Sequence, residues 1–310
     1  MQIRLDGQVV IVTGGAQGLG RAYSLELARR GAFVVVNDVA GVDDRDASVA
    51  DTFAREIRAN GGNAVACHDS VATPEGGKAI VDCAVENFGT VDIVVHNAGV
   101  WRHKYFDEMT PDQLDPVLDV HLRGAFFVTQ PAWPIMQKKG YGRIVLTSSA
   151  SGAFGRESGT NYAAAKAGIL GLGRALALEG AKHGIRTNCI LPIAPFHRRG
   201  PVPAEIIDQL KKTGLPDDGG ADLVTPMLVY LASAACSVSG EAFSAGGRRF
   251  GRVFIAVADG WVSPHSDITA EDVAAHFLEI SDLSRFAVPA TSWDELKDIG
   301  RLNRDRQKNS

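Results

Sequence analysis

The chain has 310 residues, 45% hydrophobic and 22% charged, with a net charge of −4 and an isoelectric point near 6.1. It can bury one large α/β core or two small ones, and it carries no basic footprint for nucleic acid or an anionic membrane. Its four cysteines, Cys67, Cys83, Cys189 and Cys236, have neither paired nor metal-ligand spacing. A disulfide framework and a zinc site are therefore not expected, and a reducing compartment is.

Short β-branched runs at 9–13, 33–37, 64–68, 92–96, 143–148 and 186–191 read as strands buried on both faces. Amphipathic segments between them predict helices over 19–30, 47–60, 74–88, 111–139, 159–183 and 221–233, with Pro131 and Pro134 expected to end or kink the fourth. Strands alternating with helices imply a doubly wound parallel sheet in three α/β/α layers. After Leu191 the alternation gives way to a stretch rich in Pro, Gly and Arg, with a short helical candidate near 203–212. Lying beyond a strand's carboxyl end, this stretch is a candidate substrate lid. From about 252 onward a further strand and helix look appended. With no apolar run of about 18 residues and no signal-peptide pattern, the expectation is a cytoplasmic protein without a membrane span.

After the first strand comes Thr13-Gly14-Gly15-Ala16-Gln17-Gly18-Leu19-Gly20, opening a helix. Glycines there let backbone N–H groups and the helix N-terminus face a pyrophosphate without intruding Cβ atoms. Asp38, at the end of the second strand, stands where an acid accepts from ribose hydroxyls; its charge would repel a 2′-phosphate and so favours NAD over NADP. Asp69 and Ser70 end the third strand and Asn97-Ala98-Gly99 the fourth, all on the sheet edge where ligands bind in this architecture.

Tyr162 and Lys166 are four residues apart, one helical turn, so an ammonium can favour loss of the phenol's proton. Ser149, thirteen residues earlier, offers a hydroxyl that can hold a substrate oxygen while Tyr162 exchanges its proton.

Together, TGGAQGLG, the NAG at 97–99, and Ser149, Tyr162 and Lys166 resemble the short-chain dehydrogenase/reductase family, over roughly residues 5–250. The resemblance implies a single Rossmann-type domain over 1–250 holding both cofactor and substrate sites. A C-terminal extension over 251–310 would pack on that domain or on a dimer partner. It implies a nicotinamide cofactor contacted by Gly14, Gln17, Gly18, Leu19, Gly20, Asp38, Asp69, Ser70, Asn97, Ala98, Gly99, Tyr162, Lys166, Pro192 and Ile193. Ser149 would orient substrate, Tyr162 would be the acid/base, and Lys166 would bind the nicotinamide ribose. Within the family, YGRIVLTSSASGAFG and the long tail look like the branch acting on (3R)-hydroxyacyl-CoA, with hydroxysteroids as related substrates. A homodimer or homotetramer built through the long helices is implied as well.

Three segments depart from the family pattern. His121 stands where many members have an Asn that supports a water relay, and it has either that role or a packing role with a bond to a backbone carbonyl. His96 replaces the first Asn of N-N-A-G. Pro195, Phe196 and His197 interrupt the segment after the sixth strand. Trp101, Tyr105, Phe154 and Phe196 are candidates for an apolar pocket, or for core, and Arg198, Arg199 and Arg248 for CoA phosphates. The leading expectation is an NAD-dependent alcohol oxidoreductase acting on a small-molecule substrate, without a metal. The alternatives are an NADPH-dependent ketoacyl reductase and a non-catalytic nucleotide-binding regulator.

Overall fold

The computed structural model describes residues 2–41, 48–194, 212–214 and 220–309. Eight strands form its central sheet: β1 Val9–Thr13, β2 Phe33–Asn37, β3 Asn63–Cys67, β4 Ile93–His96, β5 Gly142–Thr147, β6 Ile185–Ile193, β7 Ala242–Gly246 and β8 Arg249–Val253. Their order is β3-β2-β1-β4-β5-β6-β7-β8, parallel throughout except for β8, which returns antiparallel to β7.

The pleat sorts the apolar runs onto two faces. Val10 and Val12 of β1, Val34 and Val36 of β2, and Ile93 and Val95 of β4 enter one core; Val9, Ile11, Val35 and Val94 enter the other. The first core is roofed by α1 (Gly18–Arg29), α2 (Val49–Ala59) and the helix Thr225–Ala232, through Tyr23, Leu27, Phe53, Ile57 and Leu228. The second is roofed by α3 (Pro74–Phe88), α5 (Gly124–Lys139) and α7 (Thr160–Gly180), through Ile80, Val128, Met136 and Ile169. Each such side chain taken fully from water contributes about 1.5–3 kcal/mol, which is why strands with no polar face are stable here. The helix starts are specified locally. Ser48 accepts from the Asp51 N–H and caps α2, while Thr73 accepts from the Gly76 N–H and caps α3, ahead of Pro74.

The segment 111–139 breaks elsewhere than at Pro131 and Pro134. Helix α4 (Pro111–Leu118) passes into a π-turn, Asp119–Arg123, and α5 then runs unbroken through both prolines. Pro131 cannot donate to the carbonyl four residues back, that of Phe127. That oxygen lies over Gly77 of α3, where a Cβ would come within 2.3 Å. The neighbouring helix thus accommodates the carbonyl the proline leaves without its helical donor. β7 and β8 extend the sheet past the strands legible as apolar runs. Most of the 203–212 helical candidate lies outside the described residues, as do Pro195, Phe196, His197, Arg198 and Arg199.

The chain divides into two compact units, Met1–Val253 and Phe254–Ser310. The second holds a two-stranded antiparallel sheet, Val257–Ala258 with Phe286–Ala287, and helices Ala270–Ala275, Phe277–Ile280 and Ser292–Asn309. Thr269 and Asp272 form a capping box at the first of these helices. None of the described side chains of this unit is buried. Among the described residues, no helix is long and apolar enough to cross a membrane.

Candidate active site

Because β1 to β7 run parallel, their carboxyl ends share one edge. At β1 the chain turns through Gly14 and Gly18, with φ of 60° and 52°, in the left-handed region that glycine enters without strain. A Cβ on Gly14 would stand 2.9 Å from Ala98 Cα, and one on Gly20 would stand 1.9 Å from the Gly14 carbonyl oxygen. The turn, the first residues of α1 and the end of β4 therefore meet as bare backbone. Asn97 Nδ2 donates to the carbonyls of Thr13 (3.1 Å) and Gly14 (3.2 Å), and Thr13 Oγ1 accepts the N–H groups of Asn97 and Ala98 at 3.0 Å each. Gln17, at the N-cap of α1, gives no side-chain bond to the helix's first turn.

Asp38 follows β2 and is buried, its carboxylate accepting from the N–H groups of Ala16 (3.4 Å) and Ala40 (3.0 Å). Asp69 and Ser70 follow β3 and are exposed; the Asp69 carbonyl accepts from Asn37 Nδ2 at 2.8 Å. Pro192 and Ile193 end β6, paired with Ala245 and Gly246. The tight glycine turn, the N-terminus of α1 at Gly18 and the carboxylate at the tip of β2 together fit a dinucleotide.

Ser149 follows β5 and caps the short helix α6, Ala150–Phe154, its Oγ accepting from the Ser151 N–H at 3.2 Å. Gly152 lets α6 lie against α7: a Cβ there would be 2.6 Å from the Lys166 carbonyl carbon. Tyr162 and Lys166 are both buried on α7, with Nζ 5.7 Å from the Tyr162 ring centroid. Lys166 Nζ donates to the Thr147 carbonyl at 2.5 Å, and burial pulls its ammonium down to about 7. Asn161 ties both the loop after β4 and the first turn of α4 to this helix, its Nδ2 donating to the carbonyls of Arg102 and Gln113, each at 2.8 Å.

His121 sits in the π-turn, 3% exposed, with its ring edge-on to Tyr162 at 5.0 Å between centroids. Its Nε2 lies 2.9 Å from the Val100 carbonyl oxygen and 3.2 Å from the Val100 nitrogen, so that it donates to the one or accepts from the other according to the tautomer, while Nδ1 is buried with no hydrogen-bond partner among the described residues. Desolvation first, and then the Lys166 charge, hold its pKa well below the ordinary range. Trp101 stacks on Tyr162 at 4.4 Å and so belongs to the site. Tyr105 and Phe154 are exposed. Arg248 holds φ 64° in the tight turn between β7 and β8, beside the end of β6.

Two site features were not legible as such. Asn161 reaches the loop after β4 by bonds only the fold creates, and His96 is buried at the centre, although its place in the altered N-N-A-G motif was the available signal.

The sequence pattern of the family described as short chain dehydrogenase matches residues 8–194. A short-chain type dehydrogenase/reductase of Mycobacterium tuberculosis is 41% identical over 284 residues, covering 90% of this chain and 96% of that protein. The peroxisomal multifunctional enzyme type 2 of Mus musculus is 40% identical over 295 residues, 93% of this chain but 38% of the enzyme. The full-length peroxisomal multifunctional enzyme type 2 from Drosophila melanogaster superposes with a TM-score of 0.78 at 32% identity, covering 99% of this chain and 50% of the other.

Proposed function

The chain belongs to the short-chain dehydrogenase/reductase family, an oxidoreductase family acting on CH–OH groups with a nicotinamide dinucleotide; from that premise we propose that it is an NAD-dependent enzyme interconverting a secondary alcohol and a ketone. The observation that carries the reading is Tyr162, buried beside Lys166 with Nζ 5.7 Å from its ring centroid. Bound there, the cofactor supplies C4 of its nicotinamide as hydride acceptor.

In the oxidative direction Tyr162 Oη takes the substrate's hydroxyl proton. When protonated, Lys166 beside the ring favours the phenolate this requires. Ser149 Oγ holds the substrate oxygen as charge develops on it. The Lys166 bond to the Thr147 carbonyl fixes the ammonium under the tyrosine. Gly14, Gln17, Gly18, Leu19 and Gly20 would hold the pyrophosphate, and Asp38 the adenosine ribose. Asp69, Ser70, Asn97, Ala98, Gly99, Pro192 and Ile193 would complete the cofactor wall.

The substrate we favour is a 3-hydroxyacyl-CoA, with a hydroxysteroid second. The resemblance to multifunctional enzymes supports it, and so does an apolar wall opened by Trp101 against Tyr162. A homodimer or homotetramer and a cytoplasmic location belong to the same reading, the latter supported by four free thiols.

The test is Tyr162→Phe. With NAD and a panel of 3-hydroxyacyl-CoA thioesters and hydroxysteroids, turnover falls by about 10²- to 10⁴-fold while NADH binding is retained. Undiminished turnover in that variant overturns the assignment.

A further inference from the structure

His96 is completely buried at the end of β4, its Nδ1 beside the Thr13 hydroxyl and its ring also against backbone of the π-turn, at His121 and Val120. Thr13 Oγ1 spends both lone pairs on the N–H groups of Asn97 and Ala98, so its own proton is left for His96 Nδ1, 3.4 Å away. His96 Nε2 lies 3.2 Å from the carbonyl oxygen of His121. A carbonyl only accepts, so Nε2 carries the hydrogen. His96 is therefore the neutral Nε2–H tautomer with both nitrogens satisfied, and a second proton would point at a hydroxyl with no lone pair to spare. Burial, and after it the Lys166 charge, push its pKa down to about 3 in agreement.

The His121 carbonyl belongs to the π-turn between α4 and α5, a widened turn of the kind that often marks a working site. From that turn the His121 ring reaches Val100, whose neighbour Trp101 stacks on Tyr162. Room for the ring exists because residue 99 is glycine: a Cβ there would stand 2.6 Å from His121 Cε1.

We propose that His96 is a positioning residue: its Nε2–H pins the π-turn through the His121 carbonyl and so sets the His121 ring and the Val100–Trp101 segment against Tyr162. The same imidazole takes the Thr13 proton, so the cofactor edge at Asn97 and Ala98 and the wall of Tyr162 are one hydrogen-bonded network. The proposal rests on the reading of Tyr162 as the acid/base. The ionisable groups facing the pair are Lys166 and Tyr162 from α7. Cys189 of β6, beside Lys166, has its thiol pushed up by burial to about 12.

Two substitutions separate the nitrogens. In His96→Gln the amide nitrogen replaces Nε2 and still donates to the His121 carbonyl; in His96→Asn the shorter amide serves only the Thr13 side. His96→Gln is expected to keep kcat within about threefold of the parent. His96→Asn is expected to lose on the order of 10- to 100-fold in kcat, with NADH affinity nearly unchanged and the acid limb of its pH profile shifted. Equal behaviour of the two variants, whether both active or both impaired, overturns the proposal.

Imidazole 15N spectra provide a readout free of activity. His96 should be a neutral Nε2–H ring from about pH 5 to 9, and the His121 signals should move in His96→Asn but not in His96→Gln. An Nδ1–H or doubly protonated His96, or His121 signals indifferent to both changes, overturns it as well. Failure to oxidise any alcohol would undo the reading of Tyr162 and leave these spectra to decide His96.

Discussion

At the β1–α1 end of the sheet edge the working surface is backbone: Gly14 packs on Ala98 and Gly20 on the Gly14 carbonyl so closely that neither position has space for a Cβ. At the β4–β5 end it is made of side chains, His96, His121 and Lys166, each at most 3% exposed and each with its pKa lowered first by burial. One region admits an anion by excluding atoms. The other holds ionisable groups out of water so that small changes in surroundings move their protons. They should fail differently, the first to added volume and the second to altered charge.

The sharpest break of that comparison is Gly20→Val. Its Cβ would fall 1.9 Å from the Gly14 carbonyl oxygen, a backbone atom held in turn by Asn97. We expect NADH binding, followed by fluorescence titration, to weaken by at least about 100-fold, with stability reduced by about 1–3 kcal/mol. Near-normal binding would mean that the turn is not the pyrophosphate cradle.

The interior should answer to pH instead. Lys166 has a pKa of about 7 in the folded chain against an ordinary 10.5. Between those values the unfolded chain keeps the proton and the folded chain has lost it, so stability rises with pH across that window. Below about 7 both forms are charged and the full cost of burying the cation is present. Lys166→Met removes this slope. From pH 7 to 9 the parent should gain on the order of 2 kcal/mol relative to the variant, read from urea midpoints. Parallel curves would mean that Lys166 is not desolvated. His96, about 3 when folded against 6.5, has the same sign in acid: its stabilising neutrality costs stability as pH falls below about 6.5.

The strands β1, β2, β4 and β5 were legible because buried parallel strands are largely apolar runs, whereas β3, a partly exposed edge strand, and β6, with Arg186, Thr187 and Asn188, carry a weaker form of that signal. β7 and β8, AFSAG and RFGRV, carry Ser, Gly and Arg, and the partner strand supplies what the side chains do not. The break in 111–139 was misplaced because the carbonyl displaced by Pro131 finds room over Gly77, about fifty residues away, which no local rule can see. The site divides likewise. Ser149, Tyr162, Lys166 and the glycines have fixed spacing on single elements, so chain order reveals them. The His96 bond joins a strand end to a π-turn carbonyl 25 residues on, and only the fold brings these together.

Asp38 tests the backbone-built region by charge, where that region should be least sensitive. Its carboxylate is held against the turn by the N–H groups of Ala16 and Ala40, so it cannot swing away from a group on the ribose. A 2′-phosphate there would meet a fixed negative charge in partly desolvated surroundings, whereas a 2′-hydroxyl can donate to it. Asp38→Ser removes the charge and keeps an acceptor. NADPH affinity should then improve by about tenfold relative to NADH, some 1.4 kcal/mol, with little change in kcat for the preferred alcohol. An unchanged ratio would place the adenosine ribose away from the tip of β2 and confine the cofactor assignment to the glycine turn alone.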